Sequence, residues 1–135
     1  MRRMLLVGAL AGLPGCPSDP PPECLTPVVD TTCAPGYVPT FTNVYNNTLR
    51  DSCGSTDSSC HSASGRAGNL TFQDQATAYD QLTSKGYVKP GDPTCSEFIV
   101  RTHSPGEDYQ MPPSLTLTPE VRCALAQWVQ MGALP

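Results

Sequence analysis

The stretch RDSCGSTDSSCHS, residues 50–62, gathers Cys53, Cys60 and His61 in one polar segment. Two thiols beside an imidazole have few chemical uses. They can add to the vinyl groups of a haem while the adjacent histidine binds its iron, an arrangement usually written C-x-x-C-H. Here six residues separate the cysteines, so the chain between them must bulge outward. The same side chains with His103 would make a zinc set, but structural zinc sites space paired cysteines ~2–4 residues apart. A thiol–disulfide exchanger keeps C-x-x-C at a helix N-terminus to lower one thiol's pKa, and the longer spacing forfeits that control. The remaining use is a disulfide between Cys53 and Cys60, which would contribute ~2–4 kcal/mol and leave His61 an ordinary exposed histidine. The residues of the loop accommodate haem and disulfide alike.

Covalent haem takes its other axial ligand from elsewhere, and a Met/His pair raises the iron's potential. Met111, in YQMPPS, is the candidate, with two prolines fixing the backbone on its C-terminal side. Its alternative role is that of most methionines, a flexible filler of core gaps. His103 reads as a capping or solvent-facing residue, and Met131 as core or chain end.

Helices must carry these residues into place. In PTFTNVYNNTLRDSC, the residues Phe41, Val44, Tyr45, Thr48 and Leu49 fall on one helical face, with Thr40 or Thr42 as cap. That helix delivers Cys53 into the polar loop, where Gly54 is available for a positive φ. A second helix, FQDQATAYDQLTSKG, presents Phe72, Ala76, Tyr79 and Leu82 and stops at Gly86. After a turn at Pro90–Pro93, a short third helix turns Phe98, Ile99 and Val100 inward. The last helix has the clearest start: Thr118 as N-cap, Pro119 at N1 and Glu120 in the first turn. Val121, Ala124, Leu125, Trp128 and Val129 form its buried face. Without a strong strand signal, the chain reads as all-α, about four short helices joined by long loops.

Its N-terminus reads as a processing segment. Arg2 and Arg3 precede an apolar stretch from Met4 to Leu13, short of the ~20 residues a membrane span needs. LPGC then resembles a bacterial lipobox, which predicts removal of residues 1–15 and lipidation of Cys16. Residues 16–37 would be lipid anchor and Pro-rich tether, and 38–135 the domain. Removing Arg2 and Arg3 takes the net charge from −4 to −6, which leaves no electrostatic footprint for nucleic acid. Seven cysteines in an exported chain point to an oxidising compartment. Setting Cys16 aside, the other six permit fifteen pairings. No carboxylate pair, nucleophile–base set or phosphate loop stands out, so the sequence predicts no enzyme.

Three segments then occur in a familiar order: the helix running into C…CH, YVKPGDPTCSEFIVR, and YQMPPSLTLTPEVRCALAQWVQMGA. Over residues 38–133 the chain resembles small monohaem c-type cytochromes, especially the cytochrome c domains of planctomycete and myxobacterial lipoproteins. The C-x6-CH spacing departs from their two-residue form. The resemblance implies a cytochrome c-like fold and one covalent haem c, with Cys53 and Cys60 as thioether anchors and His61 and Met111 as iron ligands. It places Trp128 near a haem edge and Gly132–Ala133 at the crossing with the first helix. It also implies a disulfide between Cys95 and Cys123 on the last two helices, leaving Cys24 for Cys33. The implied work is electron transfer with redox partner proteins of the cell envelope. The protein would face the periplasm, held to the membrane by its N-terminal lipid and most simply at the outer membrane. The contrasting reading is a haem-free envelope lipoprotein, a disulfide-stabilised module that binds another protein.

Overall fold

A computed structural model describes residues 20–54 and 60–135. The signal segment, Cys16 and the middle of the loop between Cys53 and Cys60 lie outside the described residues. The described residues hold four helices and no strand. Helix α1 runs from Phe41 to Ser52, α2 is Gln75–Ser84, α3 is Glu97–Thr102 and α4 is Pro119–Gln130. The fold is all-α, built of short helices and stapled by disulfides.

Helix α1 starts where Thr40 accepts the amide of Asn43, as its sequence foretells. Its middle turn, Tyr45–Leu49, is a π-turn, in which the Arg50 amide reaches back to the Tyr45 carbonyl. Such single wide turns inside helices often mark functional sites. Phe41, Val44, Tyr45, Thr48 and Leu49 are all buried, so the widened turn still keeps the expected apolar face inward. The helix closes on Leu49, whose carbonyl accepts both the Cys53 and the Gly54 amides.

Helix α2 is capped by Asp74, which accepts the Thr77 amide at 2.9 Å. Its inward face is Ala78 and Leu82, with Tyr79 half-buried. Ala76, expected inside, is exposed. The helix begins only at Gln75, and that start sets the phase that turns Ala78 to the core. Gly86 stops it with φ +77°, open to glycine without steric cost. Helix α3 buries Ile99 and Val100, and α4 begins on Thr118 with Pro119 in its first turn. Trp128 of α4 is the centre of the core, its ring 5.1 Å from Phe41 of α1 and 6.3 Å from Phe98 of α3. Its indole N–H donates to the Leu134 carbonyl at 2.8 Å, so the apolar ring is buried with its polar end satisfied.

The cysteines pair otherwise than the resemblance implies. Cys24 bonds Cys95 and Cys33 bonds Cys123. Cys95 lies just before α3 rather than on it. The reason is that residues 24–37 are not a loose tether but a strap laid across the helical body. The Leu25 amide donates to the Thr94 carbonyl at 3.0 Å, which sets Cys24 against Cys95. Further along, the Gln127 side-chain amide of α4 donates to the carbonyls of Thr31 and Cys33, which sets Cys33 over Cys123. The Gly36 amide reaches the Glu120 carbonyl, and the Tyr37 hydroxyl lies 2.8 Å from Thr48 Oγ1. Packing therefore continues through the boundary expected at residue 37.

Candidate functional site

Both ends of the Cys53–Cys60 loop converge on Phe72. Gly54 comes so close that a Cβ there would lie 2.6 Å from Phe72 Cβ and 2.7 Å from its carbonyl oxygen. Its φ is not among the positive ones, so glycine is needed here for close approach and not for a turn. From the other side, the Phe72 amide donates to the His61 carbonyl at 3.0 Å, and the two rings stand 4.9 Å apart. Tyr45, in the π-turn of α1, donates its hydroxyl to the Gln73 carbonyl at 3.0 Å and fixes Phe72 from below. Phe72 was legible only as an inward residue of the second helix; its part in joining the loop ends required the fold.

Gly54→Ala is accordingly expected to cost about 1–3 kcal/mol, the range of core overpacking. Urea unfolding checks the magnitude, and the strain should fall on the segment that carries Cys53.

Cys53 keeps a titratable thiol, and burial pushes it up to about 12, so it is protonated at any physiological pH. Tyr37 of the strap lies near enough that the sulfur helps raise the phenol's pKa, after burial, the larger cause. Cys60 stands in a disulfide. The two cysteines are therefore not bonded to each other, and the simple loop-closing bridge is not what the structure holds. Nor is the zinc set assembled: among the described residues no group of three or more His, Cys, Asp or Glu is placed to hold a metal ion.

His61 is buried, at 8% exposure, where a simple disulfide loop would have left it in water. Its Nδ1 has no hydrogen-bond partner. A buried ring nitrogen without a partner is costly unless something satisfies it. Burial lowers its pKa, with the Arg101 guanidinium adding to the drop against the Leu70 and Ala67 carbonyls. The ring is thus neutral, the state in which imidazole binds a metal.

Met111 is half-buried in a loop that two residues hold in shape. Its amide donates to the Arg101 carbonyl at 2.9 Å. Gln110, buried and missed in the sequence, spans the loop: its Oε1 accepts the Gly106 amide at 2.6 Å and its Nε2 donates to the Pro112 and Leu115 carbonyls. Arg101 belongs to both halves of the site, since its carbonyl holds Met111 while its guanidinium bears on His61. That guanidinium is itself fixed by Glu97 at 2.8 Å, one turn back on α3. His103 is the C-cap residue of α3, with Nδ1 3.1 Å from the Ile99 carbonyl, consistent with its capping role. Trp128 sits in the packed core between α1 and α3.

Both histidines make the fold acid-sensitive. Burial pushes His103 down to about 4, with the Arg122 guanidinium assisting, and His61 is lowered as well. Unfolded histidines titrate near 6.5, so below that pH the native chain binds fewer protons than the unfolded one. Stability is then fully present above pH ~6.5 and declines as the pH falls towards ~4, with His103 alone worth about 3 kcal/mol at the bottom of that window. Urea midpoints across that range check the slope, which His103→Gln should flatten.

His61 is thus a neutral, buried imidazole, and the Met111 loop is tied to α3 through the Arg101 carbonyl. The family model for planctomycete cytochrome c matches residues 58–114. That span takes in Cys60, His61 and Met111 but neither Cys53 nor α4. It supports a cytochrome c-like domain, a class whose work is electron transfer. No curated protein and no solved structure matches the chain.

Proposed function

We propose that this protein transfers electrons through one covalently bound haem c. The observation that carries the reading is His61: neutral, buried, with an unmet ring nitrogen, inside the span that matches the cytochrome family. The residues fit the group. His61 and Met111 would hold the iron, with Cys53 and Cys60 as thioether anchors. Bound haem supplies one-electron iron chemistry; the protein's share is to hold and tune it. Phe72 fixes the ends of the attachment loop, and Gln110 and the Arg101 carbonyl hold the Met111 segment. The Arg101 charge beside His61 disfavours further positive charge there, which favours the reduced iron. Cys60 must leave its disulfide before it can take a vinyl group, so attachment requires reducing conditions at maturation. Cys16 would carry a lipid and tether the domain to the periplasmic face of the envelope, where its partners are redox proteins.

The haem-free reading, a disulfide-stapled interaction module, is favoured by the Cys60 disulfide and by a core that closes around Trp128. One experiment separates the two. Co-expression with a cytochrome c maturation system should yield red protein whose pyridine haemochrome survives acid–acetone extraction. Colourless, folded protein from the same cells would sink the haem reading.

A further inference from the structure

Between the strap and the start of α4 lies a cavity of about 280 Å³ that shares no residue with the Cys53–His61–Met111 site. Leu25, Val29 and Pro119 give it apolar walls, and the Cys33–Cys123 bridge fixes the strap over it. Two nitrogen-bearing side chains line it, Arg122 and His103. Arg122 is unusual among the cations of the described residues. Its Nε is buried without an acceptor, which is true of no other Lys or Arg among the described residues, and no carboxylate among them lies within 4.0 Å of it. The acid on the lining, Asp30, is turned to its own loop, accepting the Thr32 amide at 2.8 Å and the Thr32 hydroxyl at 2.7 Å. The one carboxylate on the lining is thus engaged by its own loop.

His103 is set to join it. Its Nδ1 lies 3.1 Å from the Ile99 carbonyl and the ring also meets the Arg122 carbonyl, so the neutral ring leaves one nitrogen without a proton and able to take one up. Burial and, after it, the Arg122 guanidinium disfavour that proton while no anion is present, against the Ile99 and Arg122 carbonyls, which favour it. An anion between the two would reverse the balance, meeting the guanidinium and giving the protonated ring a partner. A partly buried guanidinium with an idle donor is a preferred partner for an oxyanion.

We propose that this cavity binds a small molecule carrying one anionic oxyacid group on a short apolar body, its charge met by Arg122 and His103. A volume near the low end of ligand sites limits the ligand to about ten non-hydrogen atoms. The strap is part of the site, since its residues form one wall and the disulfide holds that wall in place.

Propane-1-sulfonate is a suitable probe because it stays ionised at every pH of interest, and 1-propanol is its uncharged counterpart. In ¹H–¹⁵N spectra of the full chain, the sulfonate should shift the amides of His103 and Arg122 saturably, and 1-propanol should leave them in place. Arg122→Gln should weaken the sulfonate at least about tenfold, the loss of one charge-assisted contact. In the unsubstituted protein the His103 ring resonance should titrate near pH 4 alone and at higher pH with the probe bound. Equal response to the alcohol, equal affinity in Arg122→Gln, or an unmoved His103 midpoint would each overturn the assignment. The His103 titration needs no substitution, so the test stands even if the variant fails to fold.

Discussion

Replacing His61 by alanine is expected to reduce covalently attached haem to less than about a tenth of the unsubstituted level, since even outer-shell losses cost metal sites 10–100-fold. His61 is held by its own backbone, through the Phe72 amide on its carbonyl, and by its ring against Phe72. None of those contacts uses Nδ1, so the nitrogen's orphaned state is not a demand of the fold. Alanine there would remove a polar burden as well as a small volume, and the haem-free polypeptide should lose little stability. Met111→Ala should behave differently. Its loop is held by Gln110 and by the backbone of Arg101, so the domain keeps its shape and its haem. The lost thioether sulfur should lower the reduction potential. Haem content measured by pyridine haemochrome, paired with potentiometry, separates the two roles. Full haem incorporation in His61→Ala would remove the histidine from the site.

How much of this was legible beforehand differs by element. The helices came through because their signals are local: Thr118–Pro119–Glu120 states the start of α4, and the Phe41–Leu49 spacing states the buried face of α1. The π-turn at Tyr45–Leu49 leaves that spacing intact, so periodicity alone does not reveal it. Ala76 was misplaced because the helix starts on the Asp74 cap, and a helical face is set by where the helix begins. At the site, C…CH and MPP were visible as chemistry. What gathers them was not, since Phe72, Gln110 and Arg101 act through backbone carbonyls and amides that any residue type carries. The disulfides were the least legible. Pairing depends on a strap folding back over α4, and its hydrogen bonds, Gln127 to Thr31 and Cys33, join residues 94 to 96 apart in sequence. Polyproline composition suggests a spacer at residues 17–23; nothing local says where the spacer ends and the strap begins.

The strap also carries the second large effect. Replacing both Cys33 and Cys123 by alanine is expected to cost about 3–4 kcal/mol of unfolding free energy. The bridge joins residues 90 apart, and a cross-link restrains the unfolded chain more as the loop it closes lengthens. What remains on that part of the strap is a handful of hydrogen bonds, at Gln127, Gly36 and Tyr37, each contributing about 1 kcal/mol. Because the unfolded chain expands when the bridge is lost, the urea m value should rise along with the fall in midpoint. The two bridges close overlapping loops, 24 to 95 and 33 to 123. With one in place, the unfolded chain already has a shorter route between the ends of the other. Removing the Cys33 bridge first should therefore cost about 0.5–1 kcal/mol less than removing it from a chain already lacking Cys24–Cys95. Urea titrations of both double variants and the quadruple variant measure that difference. Strict additivity would mean that the bridges act on the native strap and not on the unfolded chain. The Tyr37 hydroxyl, brought to Thr48 beside Cys53, would then owe its position to the bridge as well.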